Sequence, residues 1–369
     1  MPVLSAIPFL SIVSALLAGG AFLTAGEPIW ALVCAAAAAA TGGWTSRRSR
    51  GASAPARRIS FLKAAGLGYP AEESGAWRKR AKFFLRAVAE PRLTRSWIDR
   101  LGRPDTLPLW VERPRLGSKL QRAYLRRDWT RSARLAALGG HYDLLREIFA
   151  ARPRAAIYAR GLTLVRVAAA EGALDLRLVY RDQYEKEGEL TLTVEDAATT
   201  LVVASISFTL GVEDDRRIAW VGGAQSGADP RVRELFNDWT KRLHGLRPKA
   251  FALWALRQLV VPWQVEALRA VSDARHVGRE GRGRRSFAGR YDGFWAESEG
   301  TLRADGDWEL PLAAAERGRE ELKASRRKAH ERRYAMLAEL RAELLAAHST
   351  LAPDAPAGEA ADLPRAYFL

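Results

Sequence analysis

The hydrophobic pattern divides the chain into an apolar start, a helical stretch, a run of strands and a helical close. Residues 6–25 and 29–44 are almost unbroken apolar runs separated by Gly26-Glu27-Pro28. The first is long enough to span a bilayer and the second is slightly short. Over residues 76–89 apolar positions recur at helical spacing, which predicts a helix with Trp77, Phe84, Leu85 and Val88 inward and its arginines and lysines outward. More helix is expected over 92–101, 120–129 and 132–149. From Ala156 the period changes to two, and residues 161–168, 174–180, 189–194, 199–210 and 216–221 read as strands joined by tight turns. Such connections imply a largely antiparallel sheet. Gly222-Gly223 stops the last of these strands. Asp229 then suits an N-cap and Pro230 a first helical position.

The helix after Pro230 places Leu235, Phe236, Trp239, Leu243 and Leu246 on one face and breaks or kinks at Pro248. Residues 265–271 are a further strand, 301–311 a hairpin, and 313–348 a last long helix striped by Leu322, Ala329, Tyr334, Leu337, Leu340 and Leu344. The expected fold is therefore α+β: helices first, then a largely antiparallel mixed sheet with a long helix inserted before its last strands, then a long C-terminal helix. The expected organisation is a hydrophobic membrane hairpin over 1–45, a basic linker over 46–74, one folded domain over 75–348 and a loose tail over 349–369.

Charge narrows the partners. The 369 residues carry a formal net charge of +16, which favours an anionic partner such as lipid headgroups, nucleic acid or a phosphate-bearing ligand. Glu27 is the one charged side chain before Arg47, and Arg47, Arg48, Arg50, Arg57 and Arg58 follow. By the positive-inside rule the main domain is then cytoplasmic, with both ends of the hairpin on that side. A weakly hydrophobic helix lying in the interface is the other reading of residues 35–40, and the arginine cluster is either a topology signal or a lipid contact. A single cysteine, Cys34, excludes an intramolecular disulfide framework, and the histidines (His141, His244, His276, His330, His348) lack metal-ligand spacing. No metal is expected. The loop over 275–290 alternates arginines with glycines, but no recognition helix, zinc finger or RNP-type motif accompanies it. Sequence-specific nucleic-acid reading is not expected.

Candidate chemistry concentrates between Arg217 and Glu297. Gly222, Gly223, Gln225 and Gly227 precede a helix start, where amides and the helix dipole favour an anion, and Arg231 and Arg233 are misplaced there unless something anionic docks. An ordinary strand–turn–helix connection with solvated arginines is the competing reading. Lys241, His244, Arg247 and Lys249 cluster at the end of the predicted helix. His276 follows a strand end, and Asp292 and Glu297 flank Phe294 and Trp295, whose apolar surfaces would raise a carboxyl pKa. His276, Asp292, Glu297 and His244 are the catalytic candidates. A buried polar network or ion pairs to the arginines would use the same residue types.

Gly222-Gly223-Ala224-Gln225, the run from Thr240 to Lys249, Val271-Ser272, His276-Val277 and the run from Tyr291 to Glu297 together resemble the VirK/YbjX family. Upstream, His141-Tyr142 and the run from Gly188 to Leu192 fit it too, as do Arg326-Arg327-Lys328-Ala329 and Arg332-Arg333-Tyr334 downstream. Ser226 and Asp273 depart from the expected pattern. The resemblance implies a domain of unknown function found mainly in Gram-negative bacteria and associated with virulence, stress responses, envelope or lipid A remodelling and resistance to cationic antimicrobial peptides. It assigns no catalytic residues. The turn at Gln225-Ser226-Gly227-Ala228 also resembles, in part, the pyrophosphate-cradling turn of the N-acetyltransferase superfamily fold. Two classes of function follow. One is a transferase of acyl type at the inner membrane, taking acyl-CoA or an acyl carrier as donor. The other is a non-catalytic basic protein that binds anionic lipid or a protein partner.

Overall fold

The computed structural model describes residues 59–169, 171–279, 291–314 and 324–353. The expected membrane hairpin, residues 46–58, most of the arginine–glycine loop, the start of the last helix and most of the tail lie outside the described residues. Among the described residues no helix is long and apolar enough to cross a membrane.

The fold is α+β. Helices α1 (Phe61–Gly68), α2 (Ala76–Ala89), α3 (Pro91–Leu101), α4 (Leu107–Glu112), α5 (Arg131–Ile148) and α6 (Ala151–Ala159) come first. Composition placed α1 in the linker. Its small residues explain the difference, because Ala64, Ala65 and Gly68 are buried and the Ser60 hydroxyl caps the helix by accepting the Lys63 N–H. The helix expected over 120–129 is instead a 3-10 turn, Pro114–Gln121, followed by irregular chain. On α2 the inward side is carried by Phe83, Phe84 and Ala87, while Trp77, Leu85 and Val88 are exposed. The helix has apolar residues on two sides, so periodicity alone chose the wrong one for three of the four named residues.

An open eight-stranded sheet follows in the order β1-β2-β3-β4-β5-β6-β8-β7. Its strands are β1 (Leu162–Ala168), β2 (Ala173–Val179), β3 (Leu190–Asp196), β4 (Val202–Glu213), β5 (Arg216–Ser226), β6 (Ala267–Ala270), β7 (Thr301–Leu302) and β8 (Trp308–Leu310). All neighbours are antiparallel except β5 and β6, which run parallel. The parallel crossover is made by two helices, α7 (Val232–Arg242) and α8 (Pro248–Val260). The single long helix expected here is divided because His244 and Gly245 both take positive φ and Pro248 starts the second helix rather than kinking the first. Helix α9 (Tyr291–Glu297) and the long α10 (Ala324–Ser349) complete the domain.

The two faces of the central strands differ. Leu192, Ile206 and Ala224 share one face in register, and α8 packs against these strands. On the other face Thr191, Ser207 and Gly223 align, as do Thr193, Ser205 and Gln225. The threonines and serines of this row are buried. Irregular segments meet this face near Gly222, Gly223 and Thr209: residues 122–130, the β2–β3 connection and the chain after β6.

A candidate acid–base site where β5 and β6 part

Strand β5 does not stop at its glycines. It continues to Ser226, and its register against β4 slips between Ser207 and Phe208, so that Gly222 is an extra residue in the strand. A Cβ on Gly222 would collide with the carbonyl oxygen of Glu187, and a Cβ on Gly223 with the Glu187 carboxyl group. The glycines therefore admit the β2–β3 connection into direct contact with the sheet, which is the usual meaning of glycine inside a strand. Strand β6 pairs with β5 only from Ile218 to Val221. Beyond that point the chain after β6 turns away, and His276 forms an isolated bridge with Arg126.

Four side chains meet at this divergence. The Gln225 amide nitrogen donates to both Glu187 carboxyl oxygens at 2.7 Å. His276 Nε2 is 3.5 Å from Glu187 Oε1, and its Nδ1 accepts the Gly278 N–H at 3.0 Å. That second contact assigns the ring proton of a neutral His276 to Nε2, facing the carboxyl. The Tyr291 ring packs edge-on to His276 at 5.0 Å, and its hydroxyl lies over Gly223 beside Glu187. Burial pushes the Glu187 pKa up to about 7, with the Gln225 hydrogen bond acting in the opposite direction. Tyr291 is pushed well above the usual phenol range, first by burial and then by the Glu187 charge. Glu187 keeps 13% of its side chain exposed while His276 keeps 1%, so the carboxyl is the group nearer solvent. Tyr184, whose carbonyl accepts the Glu187 N–H at 2.8 Å, also lines a cavity of about 250 Å³ with Thr200, Val202, Gly227 and Asp229.

The other sequence candidates occupy separate places. Arg231 pairs with Asp229 at 2.8 Å, and the Asp229 carboxylate also accepts the Arg231 N–H, so the start of α7 already faces an anion from its own chain. That pair holds the Asp229 pKa down at about 2. Arg233 and Lys241 are exposed on α7. Arg247 pairs with Glu297 at the surface, each about half exposed. The His244 carbonyl accepts from the Arg333 guanidinium, and Lys249 Nζ lies 5.5 Å from the Phe294 ring. Asp292 accepts the Asp273 N–H and the Trp308 indole N–H, while Asp273 accepts the first amide of α9 in return. His276 alone of the catalytic candidates reaches the site, where it joins Gln225 and the two glycines. Among the described residues no cluster of three or more His, Cys, Asp or Glu side chains could hold a metal.

Glu187 escaped the sequence reading because Tyr184-Glu185-Lys186-Glu187-Gly188 has the texture of a solvated turn. The available signal was the glycine pair, once read as strand interior rather than strand end. His141-Tyr142 serves a different network. Beyond Phe208, β4 outruns β3, and His141 Nδ1 accepts the freed Leu210 N–H at 3.3 Å. Burial lowers the His141 pKa to about 3, aided by Lys119, so it stays neutral. Lys119 and Glu189 form a fully buried ion pair, and the Tyr142 hydroxyl donates to Glu189 at 2.8 Å.

Comparison with known proteins places these residues in a family. A model described as "Protein of unknown function (DUF535)" matches residues 72–346. The chain is 31% identical over 271 residues to the uncharacterized protein YbjX of Escherichia coli, covering 71% of this chain and 82% of that one. It is 29% identical over 164 residues to an uncharacterized Haemophilus influenzae protein, covering 44% and 54%. No solved structure matches. The chain thus belongs to the VirK/YbjX family, the family of unknown function DUF535.

Proposed function

We propose that the chain is a group-transfer enzyme of acyl type, in which Glu187 meets the substrate as the proton-transfer residue and His276 is the positioning residue behind it. One observation carries this reading. A carboxyl group lies against two strand glycines at the end of a parallel strand pair, with an amide on both its oxygens and an imidazole 3.5 Å away. Ligands of parallel sheets collect beyond the carboxyl ends of diverging strands. A carboxyl held near pH 7 is available in both protonation states at neutral pH, which suits one group that removes a proton and later returns it. Acyl-CoA or an acyl carrier is the donor class proposed, and the cytoplasmic face of the bacterial inner membrane is the proposed location. Envelope stress and resistance to cationic peptides are the proposed process.

The test is replacement of Glu187 by Gln, and separately of His276 by Gln, followed by survival under cationic peptide. Glu187→Gln is expected to abolish protection at an abundance and melting temperature no lower than the parent's. His276→Gln is expected to move the pH at which the remaining activity is half-maximal. Full protection by Glu187→Gln at parental abundance would overturn the assignment.

A further inference from the structure

Helix α2 presents a surface that the fold does not use. Trp77, Ala81, Leu85 and Val88 succeed one another at helical intervals, and Trp77, Leu85 and Val88 are 50%, 40% and 44% exposed. Every charged residue of Ala76–Ala89 is basic. Two of them serve the fold, since Arg80 donates to the Tyr69 carbonyl and Arg86 to the Gln121 carbonyl. The others face outward. Arg78 lies over the Trp77 ring at 5.2 Å, Lys79 pairs with Glu73, and Lys82 is exposed.

We propose that this outer face of α2 docks on a membrane surface containing anionic lipid. Tryptophan and aliphatic side chains flanked by long basic ones form the composition that settles at the headgroup–acyl boundary, with the cations reaching up to phosphate. Charge complementarity selects an anionic occupant, in keeping with the net charge of +16. The three apolar side chains select lipid among anions, because a nucleic-acid backbone would leave Leu85 and Val88 in water. The sequence before Ile59 has the same chemistry, apolar through residues 6–44 and arginine-rich from Arg47 to Arg58. The inference is independent of the Glu187 site and stands or falls without it.

The experiment uses the full chain with Cys34→Ser and Leu85→Cys, the new thiol carrying an environment-sensitive fluorophore. Vesicles are phosphatidylcholine alone or phosphatidylcholine doped with phosphatidylglycerol, each with and without a lipid-attached quencher. A blue shift and quenching are expected only on the doped vesicles, and a label at the exposed Val261 is expected to stay silent. In Arg78→Gln/Lys82→Gln the insertion equilibrium read from the quenched fraction should fall about 30-fold, at roughly fivefold for each basic residue near the surface. Four results would overturn the proposal: no shift on doped vesicles, an equal shift on neutral ones, a lipid-free shift that grows with protein concentration, or a shift produced by duplex nucleic acid instead.

Discussion

Glu187 and Glu189 lie two residues apart on one short segment, and the fold treats them in opposite ways. Glu189 has no exposed side-chain surface and meets Lys119, the Tyr142 hydroxyl and, through its backbone, the Thr209 hydroxyl. Its charge is answered in full, and the surrounding tyrosines are pushed well above the usual phenol range by burial. Glu187 meets a neutral amide and an imidazole. A buried carboxyl with a fixed cation is part of the scaffold, whereas one whose partners are neutral or titratable remains available for proton transfer. Two carboxylates of one type, equally invisible as chemistry in the sequence, thus divide into structure and site by their partners alone.

The largest effect should come from breaking the scaffold pair. Lys119→Met leaves Glu189 buried beside tyrosines and is expected to cost about 3–5 kcal/mol, read as loss of soluble protein or a large fall in melting temperature. Lys119→Met/Glu189→Leu should recover most of that loss, because the uncompensated charge is gone. If the single variant melted like the parent, Glu189 would not depend on Lys119.

Next in size is Gly223→Ala, which places a methyl group where the Glu187 carboxyl lies. Overpacking of this kind typically costs 1–3 kcal/mol, and it should displace the carboxyl from Gln225 and remove activity along with stability. Recovery of activity in Gly223→Ala without a change in melting temperature would show that the contact is loose.

Glu187 should also set a pH dependence of stability. A carboxyl whose folded pKa is raised from 4.5 to about 7 destabilises the fold as pH climbs through that interval, since the native state holds the proton longer than the unfolded chain does. Burial of His141 as the neutral ring works in the other direction, adding stability as pH rises from about 3 to 6.5. The two slopes oppose each other between about pH 4.5 and 6.5. Glu187→Gln should therefore show a stability gain over the parent that grows from pH 4.5 to 7, up to about 3 kcal/mol by the size of the shift. Carbon NMR of the glutamate carboxyls should show one resonance titrating near 7 that the variant lacks. A constant difference between variant and parent across that range would place the Glu187 pKa at its ordinary value.

The smallest effect is expected at the surface pair of Arg247 and Glu297. Both side chains are about half exposed, so Glu297→Ala leaves no buried cation behind and the melting temperature should not change. A large fall there would mean that the end of α9 has a partner at this face.

The succession from helices to strands, the largely antiparallel sheet and a helical insertion before its last strands follow from the sequence alone, because alternation, helical spacing and proline or glycine punctuation are local properties. The strand positions on β1 to β4 and the basic character of α2 are of this kind. The sequence also singled out His276, Gln225 and the glycine pair, since unusual residue types at element ends are visible without coordinates. The tertiary structure decided what they do. Gly222 and Gly223 looked like a strand end, and only the approach of residue 187 across the sheet shows them inside β5, making room for a carboxyl. Trp77, Leu85 and Val88 fit an inward face as well as an outward one, and only the packing of Phe83, Phe84 and Ala87 against the core decided between them. Arg247 and Glu297 have the residue types of a site as much as His276 does, yet the structure pairs them at the surface, each about half exposed, and buries the histidine beside Glu187. Burial and charge pairing depend on residues far away in the chain, so they are settled when the elements pack and not before.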